Sequence, residues 1–156
     1  MATMTQSYRR HDRSLRLNFR FEFGELTLVD RLELEMAALP ANDLTTFKPE
    51  ERSGFWIEIH DPRGRALYRR SMPHPMVRRS ESHDDERGPR TVMWVEERGA
   101  FSVVVPNLFG GAELVMFGSP TDQPGMAQPA AEILRMPLRE GPTQPDDHRS
   151  HGEGRS

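Results

Sequence analysis

The chain has no cysteine. That removes disulfides, thiolate metal sites and cysteine nucleophiles, and it leaves the redox compartment undecided. Lysine is nearly absent too: Lys48 stands alone among arginines. With 21 basic against 24 acidic residues the net charge is −3, so the basic excess that a dedicated nucleic-acid binder needs is missing. Long apolar runs are also lacking. The longest, around Val103–Val105 and Leu114–Phe117, reach about five residues, against the roughly 20 needed to span a bilayer. The first dozen residues (MATMTQSYRRHD) contain no apolar stretch, so no secretory signal or membrane partner is expected and a cytoplasmic location is the default. Hydrophobic residues make up 35% of the 156, below the usual share of roughly 45–50% even with glycine added. One domain with disordered ends fits this composition; two domains do not.

What is present alternates. Leu15, Leu17, Phe19, Phe21 and Phe23 recur at every second position, with Arg16, Asn18, Arg20 and Glu22 between them. That is the period of a half-buried strand. Gly24-Glu25 turns the chain, and Leu26, Leu28, Leu32, Leu34 and Met36 resume the alternation. Asp30 falls on the apolar side of this register. The pattern therefore predicts an edge position there, or a bulge near Val29–Asp30 that brings Val29 inward. A helix over Leu26–Leu39 is the alternative, from good helix formers; the alternation favours strand. Residues 37–53 read as a loop.

Phe55–His60 is the next strand. Asp61-Pro62-Arg63-Gly64 is a strong turn signal, and residues 65–72 return, so Phe55–Met72 reads as a hairpin. Pro73-His74-Pro75 ends that ladder, and residues 73–90 read as a long polar loop. Thr91–Glu96, Ala100–Val105 and Glu113–Phe117 complete the set. The predicted fold is all-β, a seven-stranded antiparallel β-sandwich of immunoglobulin or fibronectin type III character over 14–119. A flexible arm over 1–13 precedes it, and a Pro/Gly-rich disordered tail over 120–156 follows. A small barrel is the rival. The predicted core is Leu15, Leu17, Phe19, Phe21, Phe23, Phe55, Ile57, Ile59, Phe101, Val103 and Val105.

Chemistry-bearing motifs are sparse. His74, His83, Asp84, Asp85 and Glu86 in the 73–90 segment are metal-ligand types, but their spacing is loose and the reading favoured is a solvated loop with no metal. No GxSxG, P-loop or GxGxxG occurs, so no catalytic residue and no cofactor are expected. Arg63, Arg65, Arg69, Arg70, Arg78 and Arg79 gather around the hairpin and just after it. They read as a face for an anionic partner or as guards of exposed sheet edges. Glu58, Asp61 and Asp84–Glu86 cancel much of their field, which favours the second reading. Trp56 lies opposite in parity to Phe55 and Ile57, so the outer face holds a binding aromatic or packs a loop; core or loop packing is the favoured reading. In the tail, Ile133, Leu134, Met136 and Leu138 form an apolar island. It reads equally as a docking segment for a protein partner or as a piece that packs back on its own domain. The candidate partner-binding residues are these four with Arg78 and Arg79.

The segment Gly54-Phe55-Trp56-Ile57-Glu58-Ile59-His60-Asp61-Pro62-Arg63-Gly64-Arg65-Ala66-Leu67-Tyr68-Arg69-Arg70, with Phe101-Ser102-Val103-Val104-Val105-Pro106-Asn107-Leu108, resembles a group of bacterial proteins built from one small β-sandwich. More distantly it is similar to the N-terminal sandwich of IgA-peptidase-like metallopeptidases. There too an aromatic strand runs through an Asp-to-Gly turn into a Leu-Tyr strand. The resemblance spans residues 15–119 and implies an accessory or binding module; it carries over no zinc site and no catalytic residue. The function expected is a non-catalytic protein-binding module whose tail docks a partner. The alternatives are a structural subunit of a bacterial assembly that self-associates through an edge strand, and a small metal-dependent hydrolase using the 73–90 loop.

Overall fold

The computed structural model describes residues 13–42, 47–124 and 126–139. The chain runs through β1 (Ser14–Glu22), β2 (Glu25–Leu34), β3 (Phe55–His60), β4 (Ala66–Met72) and β5 (Val77–Asp84). It continues through β6 (Gly88–Val95), β7 (Arg98–Pro106), β8 (Glu113–Gly118) and β9 (Ala131–Pro137). The only described helical element is a 3₁₀ turn at Pro49–Glu51. One sheet has the order β2-β1-β7 and another β4-β3-β8-β9, while β5 and β6 pair only with each other. Every pairing is antiparallel.

The core forms where the alternating rows of the two larger sheets face each other. Leu15, Leu17 and Phe19 of β1 and Val103 and Val105 of β7 meet Phe55, Ile57 and Ile59 of β3, Tyr68 of β4, and Leu114 and Met116 of β8. Phe19 stacks on Phe101 at 5.4 Å between ring centres, and Phe55 meets Phe101 edge-on at 6.4 Å. The all-β, antiparallel, sandwich-like architecture is thus present. The hairpin is as predicted, with Phe55 opposite Met72 and the Gly64 amide donating to the Asp61 carbonyl across the turn. A bulge at Leu67 is the one irregularity in its register.

Four expectations need correction. The described residues hold nine strands, not seven, because the 73–90 segment is not a loop. The chain turns at 73–76 and residues 77–95 form the β5–β6 ribbon. Both faces of that ribbon are exposed, so nothing required the apolar alternation that would have revealed it. The ninth strand lies in the expected tail: β9 pairs with β8 from Glu113↔Pro137 to Gly118↔Ala131. Leu138 is buried and Leu134 and Met136 pack on the core, so the boundary expected at 119 moves to 138. Residues 1–12 of the expected arm and 140–156 of the tail lie outside the described residues.

The bulge near Asp30 exists, but Val29 does not turn inward. Asn18 faces Asp30 and Phe19 faces Leu28, leaving Val29 as the extra residue, 56% exposed. Beyond it the parity of β2 is reversed. Arg31 and Glu33 stand opposite Leu17 and Leu15, and Leu32 is sent to the outer side. Phe23 is not core either: it is 64% exposed. Phe23 and Gly24 have φ of +47° and +83°, the pair of positive values that a two-residue type I′ hairpin turn demands. The turn removes Phe23 from the ladder that the alternation suggested.

Gly99 is opposite Phe21. A Cβ there would lie 2.6 Å from the Phe21 ring, so the ring lies over bare backbone. Phe21→Ala is expected to cost about 3–5 kcal/mol as a core truncation, and Gly99→Ala about 1–3 kcal/mol through overpacking. Denaturant unfolding measures both. A Phe21→Ala loss under about 1 kcal/mol, the scale of a surface change, would contradict the packing described.

Candidate partner-binding surface

Strand β3 is buried on both faces. Its inner row is aliphatic and aromatic; its outer row is Trp56, Glu58 and His60. Trp56 stacks on Phe117 of β8 at 5.3 Å and meets Phe47 edge-on at 5.6 Å. The Arg52 and Arg69 guanidinium groups lie 3.7 and 4.2 Å from the centre of the Phe47 ring. The loop-packing reading of Trp56 therefore holds, with Phe47 and Ala130 as its cover.

Beneath Phe47 sits a buried charge cluster. Glu58 and Arg69 are cross-strand partners. The Glu58 carboxylate accepts from Arg69 Nε at 2.7 Å and from Arg69 Nη2, and its other oxygen lies 3.1 Å from His60 Nε2. A carboxylate that orients an imidazole is general-base geometry. Here the Glu58 carboxylate bridges the Arg69 guanidinium and the His60 imidazole, the guanidinium lies against the Phe47 ring, and His60 Nδ1 is buried without a partner among the described residues. Glu58→Ala is expected to cost about 3–5 kcal/mol, because it removes a buried partner from a buried cation, whereas Glu58→Leu with Arg69→Met is expected to recover most of that loss. Chemical denaturation of the three chains checks both values.

The second assembly is the ribbon. Its register runs without a bulge from Val77↔Val95 to Asp84↔Gly88. Arg78, Ser80, Ser82, Arg90, Val92 and Trp94 share one face; Val77, Arg79, Glu81, Thr91, Met93 and Val95 share the other. Val92 is 52% and Trp94 43% exposed, and Met93 and Val95 are exposed on the opposite face. A lone two-stranded ribbon is marginal in water, and this one carries apolar side chains on both sides.

The ribbon is rooted at His74. The His74 ring packs against Phe55 at 5.2 Å, its Nδ1 accepts the Met76 amide at 3.3 Å, and its carbonyl accepts the Val77 amide at 3.1 Å. The Glu96 amide closes the root by donating to the Met76 carbonyl at 2.8 Å. Trp94 Nε1 donates to Glu96 Oε1 at 3.2 Å. Phe23 joins this end of the molecule: its amide donates to the Glu97 carbonyl at 2.6 Å, and Arg98 lies over its ring at 5.3 Å.

No family model, curated protein or solved structure matches this chain. Arg78 and Arg79 both lie on the ribbon, Arg78 at 3.8 Å from Glu96 and Arg79 at 3.9 Å from Glu81. The other four predicted partner-binding residues are elsewhere, in β9 and just after it. Leu134, Met136 and Leu138 are used in the chain's own core, and only Ile133 is exposed. Phe23 and Val92–Val95 were missed as surface residues. The signal for the latter was a five-residue uncharged run, Thr91–Val95, directly after a strongly charged stretch. Among the described residues no group of three or more His, Asp and Glu could hold a metal ion, and no helix is long and apolar enough to cross a membrane. Arg31, Glu33, Asn107, Phe109 and Arg139 line a shallow open groove at the other end of β7.

Burial lowers the pKa of His74 from its ordinary value, opposed in part by a hydrogen bond with the Ser119 backbone. The neutral ring is thus the folded form, and its contribution to stability is full above the unfolded-state pKa of roughly 6.5. That contribution falls as pH drops below this value, because the unfolded chain then binds the proton more readily. The melting temperature should decline from pH 7 to pH 5, and His74→Asn should flatten the decline. Thermal unfolding across this range checks it; identical slopes would contradict the role given to His74.

Proposed function

We propose that the protein is a non-catalytic binding module that engages a protein partner through the β5–β6 ribbon. The observation that carries this is the exposure of Val92–Val95 on both faces of a ribbon that no other described strand supports. Exposed apolar surface grouped in this way marks an interaction site. Trp94 is the natural anchor, since aromatic residues dominate the energetics of protein interfaces. The charges around it are of both signs, with Arg78, Arg79 and Arg90 among Glu81, Asp84 and Glu96. That mixture favours a protein over an anionic polymer or lipid surface.

An accessory role agrees with the resemblance to the sandwich that precedes the catalytic domain of IgA-peptidase-like metallopeptidases. An immunoglobulin-type reading of the framework has its own support. With the ribbon set aside as an insertion, the order β4-β3-β8-β9 parallels the C′-C-F-G order of variable-type domains, whereas the other sheet departs from that plan, because β2, the strand before β3, lies at its edge. The docking role passes from the tail to the ribbon, because the apolar residues of the tail island are used within the fold.

The test immobilises the full chain and challenges it with a cell extract and, separately, with untagged copies of itself. Trp94→Ala should weaken capture roughly 30-fold, as for loss of an interface anchor worth about 2 kcal/mol. Ile133→Ser should leave capture intact. Stability should stay within about 0.5 kcal/mol of the parent in both. Undiminished capture by Trp94→Ala of every protein held by the parent chain would overturn the assignment.

A further inference from the structure

We propose that the partner of the ribbon is a second copy of this chain, and that β6 pairs antiparallel with β6 of that copy about a two-fold axis at Met93. This rests on the binding-module reading and names its partner. Among the described residues the outer edge of β6 has no strand partner, since the strand belongs to a two-stranded sheet. Natural edges are guarded by charge, proline or a bulge. Between Thr91 and Val95 there is no charge and no proline, and the register is regular. The edge of β5 is guarded, by Arg78, Arg79, Glu81 and Asp84. The open edge of the ribbon is therefore β6.

The sequence along that edge is self-complementary in one register. With the axis at Met93, Arg90 stands opposite Glu96 of the second copy, Thr91 opposite Val95, Val92 opposite Trp94, and Met93 opposite itself. Every apolar residue from Val92 to Trp94 then faces an apolar one, and both charged ends face opposite charge. Pairs of aromatic and β-branched residues and of opposite charges are the favourable cross-strand combinations.

The neighbouring registers are worse. Moving the axis to Val92 brings Pro89 into the ladder opposite Val95 and leaves Glu96 opposite Gly88. Moving it to Trp94 sets Arg90 against Arg98 and Val92 against Glu96. The charges are also available. Arg90 forms no ion pair among the described residues, and Glu96 uses Oε1 for Trp94 and Arg78, leaving Oε2 for Arg90 of the second copy. Pairing would give the order β5-β6-β6-β5, a four-stranded sheet in place of two marginal ribbons. The contact is isologous and closes on itself, so it ends at a dimer.

Sedimentation equilibrium of the full chain over a range of concentrations is the test, with thermal unfolding as the check on fold. The parent chain should be dimeric. Arg90→Glu and Glu96→Arg should each weaken the dimer about tenfold, since each converts two attractive cross-strand pairs into two like-charge ones. An equimolar mixture of these two variants should dimerise again. In the mixed dimer one copy is acidic at both positions 90 and 96 and the other is basic at both, so opposite charges meet at each end of the ladder. A mixture no stronger than either variant alone overturns the register. A parent chain that stays monomeric overturns the self-pairing. In that case capture of a different protein from the extract, lost in Trp94→Ala, would still uphold the binding module, and its absence would end both.

Discussion

The inward row of β1 meeting the inward row of β3 is the constraint on which the molecule depends. Leu15, Leu17 and Phe19 on one side and Phe55, Ile57 and Ile59 on the other are all essentially inaccessible to solvent. Burial of each such side chain contributes roughly 1.5–3 kcal/mol. The period of two then decides everything that follows along these strands. A slip of one residue would place Arg16, Asn18 and Arg20 in the core. β1 is central in its sheet and β3 is interior in the other, so both registers are fixed from both sides. β2 shows the contrast. As an edge strand it tolerates a bulge at Val29 and a reversal of parity, because only Leu26 and Leu28 have to face inward.

The outer face of the larger sheet is closed by different physics. Trp56 and Phe117 give it an apolar floor, and Phe47 gives it a lid flanked by two guanidinium groups. Glu58 and Arg69 are tolerable at that depth because each satisfies the other with paired hydrogen bonds. Buried ion pairs are costly to assemble and costlier to break singly. Backbone hydrogen bonds fix both ends of β9: the Ala130 amide donates to the Arg52 carbonyl, and the Leu138 amide to the Ala112 carbonyl.

The ribbon departs from this pattern. Among the described residues it has no second layer, and it leaves apolar side chains exposed at the end of the molecule where Phe23 is also exposed. That placement is local disagreement between composition and environment, which in natural proteins concentrates at working surfaces. Its root at His74 is well packed, so the ribbon is presented from a rigid base rather than from a loose loop, which limits the ordering entropy lost on binding.

Sequence alone determined the strands whose two faces differ. The alternation in Leu15–Phe21 and Phe55–His60 and the Asp61–Gly64 turn are local records of a buried side and a turn geometry, and they were legible residue by residue. Four things were decided only in three dimensions. β5 has no buried face to write a period, so its polar residues looked like a loop. β9 carries only Leu134 and Met136 inward beside a bulged Ile133, too short a pattern to separate from a tail until β8 offers it an edge. The Glu58–His60–Arg69 cluster joins two strands through a cross-strand register, and adjacency across a sheet leaves no mark on spacing along the chain. The apolar run Thr91–Val95 was visible as a strand from the start. That it stands on an open edge, exposed on both sides, follows from which strands found partners, and pairing is a property of the whole fold.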